Sequence, residues 1–237
     1  MVKVDEKSLL LATSMCLDPS EREVRRLFWR DDMENYNICK WTPREPGVTV
    51  GYVNTAPIHG AFEGDYVLRA INPAGTEFNL DTFFGRLPNC KVSLEARWWK
   101  DSHIRWMRLA MDLYDSMRGY CTVGHLQWAA NDERWKYSEA FAAKNIPGGG
   151  GTDFPEGREP IEDDTWNYAK ATFDFLSNKY SRLESNGKVI DLTPFNLPLY
   201  TFASARKSST TIVLYVRTDV ANQPVYFDDV RVYINEV

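Results

Sequence analysis

The chain has 237 residues, 43% hydrophobic and 26% charged, with a formal net charge of -5; it is too apolar to be disordered and within the size that one all-β domain reaches. The acidic balance, with both signs interspersed, leaves no basic surface for nucleic acid and no polybasic anchor for a membrane, and neither is an expected partner. Aromatic residues are unusually abundant, 14% with 8 Trp and 12 Tyr, more planar side chains than a core requires.

In chain order, Leu9-Leu10-Leu11-Ala12 is far shorter than a membrane span, and Asp5 and Glu6 stand where a signal peptide carries positive charge, so the expectation is a cytoplasmic chain. Asp18-Pro19-Ser20-Glu21 reads as a helix start, which makes residues 1–27 an arm with a short helix. From residue 28 to 237 the pattern changes to short runs of Val, Ile, Thr, Tyr, Phe and Trp punctuated by Gly, Pro, Asn and Asp, the spacing of an all-β domain.

Alternation is clearest over Lys91 to Lys100, with Val92, Leu94, Ala96 and Trp98 on one face and Ser93, Glu95, Arg97 and Trp99 on the other. Arg105 to Tyr114 repeats it, with Met107, Leu109, Met111 and Leu113 opposed to Trp106, Arg108, Asp112 and Tyr114. Read as neighbours, these two strands share one aromatic and charged outer face. Further strands are expected over Thr122–Ala129, Asn167–Phe175, Tyr180–Glu184, Val189–Leu192, Thr211–Thr218 and Pro224–Ile234. Asn186-Gly187 supplies the positive φ of a type I′ hairpin turn. Residues 144–164, with Gly148 to Gly151, lack periodicity and read as a long loop. Four scattered cysteines (Cys16, Cys39, Cys90, Cys121) and three scattered histidines (His59, His103, His125) form no metal or triad spacing.

Phe28-Trp29-Arg30-Asp31-Asp32-Met33-Glu34 followed by Trp41 resembles the Phe-x-Asp-Asp-Phe-Glu…Trp entry strand of concanavalin A-like jelly rolls. The order from Thr165-Trp166-Asn167-Tyr168 through the Asn186-Gly187 hairpin to Val225-Tyr226-Phe227-Asp228-Asp229-Val230 resembles their closing half. The resemblance, over residues 28–235, implies a two-sheet antiparallel β-sandwich of jelly-roll type, the fold of lectins, glucanases and carbohydrate-binding modules.

On that fold, a carbohydrate would pack its apolar face on Trp99, Trp106 and Tyr114. Its hydroxyls would meet Arg97, Arg108, Glu95 and Asp112. Trp128, Trp135 and Tyr137 follow. The alternative is that an arm or loop covers these residues and they are core. The resemblance also implies a glycoside hydrolase or lyase as rival, but Asp112 and Asp115 are three apart, on opposite faces of a strand, and no Glu-x-Asp-x-x-Glu pattern is present. A third reading is a domain that associates with a second copy through its aromatic face. No cofactor is required. A structural Ca²⁺ held by Asp31, Asp32, Glu34, Asp228 and Asp229 is expected if the first and last strands are neighbours, with Arg30 and Arg231 as the competing partners of those carboxylates.

Overall fold

The computed structural model describes residues 26–34, 40–54, 61–85, 87, 90–137 and 152–234. Among them sixteen strands follow one another. The first eight are β1 (Arg26–Asp31), β2 (Thr42–Pro43), β3 (Thr49–Val53), β4 (Val67–Ile71), β5 (Glu77–Phe84), β6 (Lys91–Lys100), β7 (Ile104–Asp115) and β8 (Tyr120–Ala129). The others are β9 (Arg134–Tyr137), β10 (Thr152–Arg158), β11 (Thr165–Asp174), β12 (Lys179–Ser185), β13 (Lys188–Asp191), β14 (Tyr200–Ala203), β15 (Ser209–Thr218) and β16 (Pro224–Ile234). They form two antiparallel eight-stranded sheets: β13-β12-β11-β6-β16-β4-β3 with β1 on β16, and β10-β9-β8-β7-β15-β5-β2 with β14 on β8.

The alternating pattern makes the sandwich. Val92, Leu94, Ala96 and Trp98 of β6 face Met107, Leu109, Met111 and Leu113 of β7 in one continuous core. The Trp98 and Trp128 rings approach to 5.6 Å across it. Each fully buried side chain of this size removes about 2–3 kcal/mol worth of apolar surface from water.

The chain turns the corner at Asp101–His103, where Ile104 N–H donates to the Asp101 carbonyl at 3.0 Å. β6 and β7 therefore lie in opposite sheets. This corrects the expectation that they are neighbours. Two strands with one apolar face each bury more by facing one another than by standing side by side with both faces still to cover.

The Asn186-Gly187 hairpin is present, with φ of 45° and 87° and Ser185 paired to Lys188. Two expectations change. Arg26 and Leu27, assigned to the arm, open β1 and pair with Ile234 and Tyr233; the helix start at Asp18 lies outside the described residues. The loop expected over 144–164 contains β10, an edge strand that accommodates Pro155 through a register shift between Asp153 and Arg158. Cys90 and Cys121 are buried.

Candidate functional site

The seven residues expected on one ligand-binding face are divided between two. Glu95, Arg97 and Trp99 lie on the outer side of the first sheet; Trp106, Arg108, Asp112 and Tyr114 lie on the outer side of the second. The two tryptophans are also not exposed stacking platforms. Trp99 is 5% and Trp106 2% accessible.

On the first sheet the charges close on one another. Glu95 accepts the hydroxyls of Tyr168 at 3.2 Å and Tyr233 at 3.1 Å, and Arg231 stands 3.7 Å away. Arg231 also pairs with Asp229 and with Glu63 at 3.1 Å, while Arg30 reaches Asp229 at 2.9 Å and Glu63 at 3.0 Å. The Arg97 guanidinium lies 3.8 Å from the Phe62 ring and 4.8 Å from that of Tyr168. Trp99 meets Trp166 edge-on at 5.7 Å.

The five carboxylates expected to hold Ca²⁺ belong to this region, and β1 does pair with β16. They do not fit a shared cation. Asp31 is consumed by Trp41 Nε1 at 2.8 Å, Tyr52 OH at 2.6 Å and Lys40 Nζ at 3.0 Å. The entry motif is thus a folding contact that fixes the start of the sandwich. Glu34 accepts the backbone N–H groups of Asp65 and Tyr66, and Asp228 those of Phe62 and Glu63. Asp32 faces Arg30, and Asp229 takes both arginines. Among the described residues no group of three or more His, Cys, Asp or Glu is placed to hold a metal.

The outer face of the second sheet is arranged differently. Register places its side chains in rows across the strands. One row runs Asn79, Tyr215, Arg108, Gln127, Lys136; the row before it runs Glu77, Arg217, Trp106, Ala129. The row after Arg108 holds Asp81, Val213, Ala110 and His125, and the next Thr211 and Asp112.

Arg108 is 1% accessible. Its Nε donates to Gln127 Oε1 at 2.8 Å, and a second guanidinium nitrogen donates to the same oxygen. Its plane lies 5.0 Å from the Trp106 ring and 5.1 Å from that of Tyr215. Those two bonds fix the Gln127 amide with its oxygen toward Arg108. Gln127 Nε2, Trp106 Nε1 and Thr211 Oγ1 are buried with no hydrogen-bond partner among the described residues. Burial pulls the Arg108 guanidinium below its ordinary value, opposed by Tyr215 and Glu77.

His125 packs edge-on to Tyr215 at 6.1 Å. Burial, then the Asp112 charge, holds the Tyr215 phenol above its usual range, which keeps it protonated. At the far end Tyr114 donates to Asp112 at 3.4 Å and accepts from Arg206 at 3.0 Å. Asp115 instead closes the turn after β7, accepting the N–H groups of Met117 and Arg118. Asp112 and Asp115, both on β7, therefore serve separate contacts.

A cavity of about 440 Å³ opens at the Trp106 end of these rows, walled by Trp106, Arg105, Arg217, Thr218, Asp219 and Asn131. Arg105 is ion-paired to Asp219. Sequence reading found Arg108 and Trp106 but passed over Gln127, His125, Tyr215 and Thr218. The available signal was the alternation His125-x-Gln127 within a strand already expected, which puts both on one face. Trp128, Trp135 and Tyr137 are inter-sheet core.

No family model and no curated protein matches this sequence. Among solved structures the chain is similar to the CBM22-1 xylan-binding domain of Paenibacillus barcinonensis Xyn10C, at 11% identity over 90% of this chain and 96% of that one, TM-score 0.43. It is similar to the alginate lyase vAL-1 from Chlorella virus, at 12% identity over 82% and 93%, TM-score 0.45. The potassium-bound carbohydrate recognition domain of Emp46p overlaps at 11% identity over 84% and 89%, TM-score 0.48.

Proposed function

We propose that this protein binds a carbohydrate bearing a carboxylate group, a uronate-containing glycan, on the outer face of the second sheet. The observation that carries the reading is Gln127 beside Arg108: the amide oxygen is held by the guanidinium, so that Gln127 Nε2, buried with no hydrogen-bond partner among the described residues, is left as a donor next to a desolvated cation. A carboxylate is the planar, two-oxygen anion that such a pair matches. Trp106 and Tyr215 flank Arg108, and the Trp106 ring walls the neighbouring cavity, where the CH face of a sugar would meet it.

The test is binding of the purified protein to matched neutral and uronate-containing oligosaccharides, followed by calorimetry. Preference for the uronates, lost in Arg108→Ala, supports the reading. Equal binding of the neutral partners overturns it.

The Tyr215–His125 contact favours a second reading, breakage of the bound chain by β-elimination. The His125 imidazole would take the proton from C5, next to the carboxylate that Arg108 and Gln127 hold. The C–H electrons form the C4=C5 double bond, the C4–O bond breaks, and the Tyr215 phenol protonates the departing oxygen. Atoms balance without water, metal or redox partner. Ultraviolet absorbance of the new double bond detects the product. Release of saturated reducing ends without that absorbance would indicate hydrolysis instead.

A further inference from the structure

We propose that the cavity beside Trp106 is a second subsite, holding the sugar unit next to the carboxylate-bearing one, so that the ligand is an oligosaccharide chain and not a single sugar. The inference rests on the reading that the outer face of the second sheet takes a carbohydrate, and it extends that site by one unit.

Position is the first argument. Arg217 and Trp106 stand opposite each other one row before Tyr215 and Arg108. Two residues along a strand are about 6.8 Å, the scale of one sugar ring. A chain with its acidic unit at Arg108 therefore reaches the cavity with the next unit.

Chemistry is the second. Thr218, 1% accessible, and Trp106 both wall the cavity, and Thr218 Oγ1 and Trp106 Nε1 are buried without a hydrogen-bond partner among the described residues. Buried polar groups are normally satisfied, and each unsatisfied one calls for a partner. Asn131 offers an amide donor and acceptor, Asp219 an acceptor and Arg217 donors, against the flat Trp106 wall. Hydroxyls of alternating donor and acceptor character on a ring with an apolar face suit this lining; a bare inorganic anion would leave the Trp106 ring and Asp219 unused.

The shape is held by the backbone. Gly75 in the β4–β5 turn lies at φ +59°, and a Cβ there would stand 2.5 Å from the Ala221 nitrogen. The two turns that bound this end of the sheet thus touch, with Gly75 also lining the cavity.

The experiment compares a uronate monosaccharide with its di- and trisaccharide in the wild type, Thr218→Val and Asn131→Ala, each first shown to melt as a folded protein. The wild type should gain about ten-fold in affinity from mono- to disaccharide, and the variants should lose that gain while keeping the monosaccharide affinity. Asn131 is exposed, so Asn131→Ala remains informative if Thr218→Val does not fold. No gain with length, or equal weakening of the monosaccharide by the variants, overturns the subsite. Chain-length dependence seen only with neutral oligosaccharides, and lost in the same variants, supports the subsite while overturning the acidic-sugar reading.

Discussion

The two outer faces have nearly the same ingredients, Trp, Tyr, Arg and carboxylate on alternate strand positions, and opposite bonding. On the first sheet Arg30 and Arg231 share Asp229 and Glu63, and Glu95 takes two tyrosine hydroxyls and Arg231. That network spends its donors on its own acceptors. On the second sheet Arg108 spends two donors on one amide oxygen, and Gln127 Nε2, Trp106 Nε1 and Thr211 Oγ1 find no acceptor among the described residues. The difference separates a network of paired charges from a face that keeps buried donors without acceptors among the described residues, and composition alone could not draw that line.

The tryptophans test the contrast most severely. Trp99→Ala and Trp106→Ala should each cost about 3–5 kcal/mol, a fall of roughly 10 °C in Tm, because both rings are buried. Only the change at Trp106 should reach the uronate affinity; Trp106→Phe, which keeps most of the volume, should fold and still lose affinity through the missing N–H. Thermal melting with calorimetric titration separates the two effects. If Trp99→Ala alters binding as much, the division between the faces is wrong.

The arginines give the next effect. Arg231→Ala leaves the nearly inaccessible Asp229 with Arg30 alone and should cost about 1 kcal/mol of stability with binding unchanged. Arg108→Ala should lower uronate affinity by about 30-fold or more, since it removes the buried cation that meets the carboxylate. Denaturant midpoints and titrations measured on both proteins would expose a reversal.

Strands were legible because period-two alternation is strong in β6, β7, β12, β15 and β16, and the Asn186-Gly187 turn announces itself by its φ requirement. β2 and β14 were not, being two and four residues long. β10 was hidden because its Pro155 and Gly157 read as loop, although an edge strand tolerates both. The division of β6 and β7 between sheets escaped for another reason: a short polar turn such as Asp101-Ser102-His103 serves equally as hairpin or as sheet-to-sheet corner, and only the burial of both apolar faces decides. The partners of the carboxylates expected to hold calcium were hidden on similar grounds. Proximity of Asp31, Asp228 and Asp229 follows from strand order, whereas their capture by Trp41, Tyr52, Arg30 and backbone N–H groups depends on three-dimensional contacts.

Asp228 yields the finest test, because it and Arg97, whose Nε is also buried without a hydrogen-bond partner among the described residues, are points where the first face is not fully closed. Its Oδ2 accepts Phe62 N–H at 2.9 Å and Glu63 N–H at 3.0 Å, while Oδ1 is buried with no hydrogen-bond partner among the described residues. Burial, the largest influence, lifts its pKa from 3.8 to about 7 against the pull of those backbone bonds. Between about pH 4 and 7 the folded chain therefore holds a proton that the unfolded chain has released, so this group's contribution to stability declines as pH rises through the window and stays low above it. Asp228→Asn keeps a carbonyl oxygen for Phe62 and Glu63 and removes the charge. The variant should match the wild type near pH 4 and exceed it by about 1–2 kcal/mol near pH 8. Arg97 stands opposite Asp228 in the register, and Arg231, Glu63 and Asp229 border it. A variant that melts lower than the wild type near pH 8 would mean that Arg97 stabilises the ionised carboxylate after all, and the first face would then be closed at every charge named here.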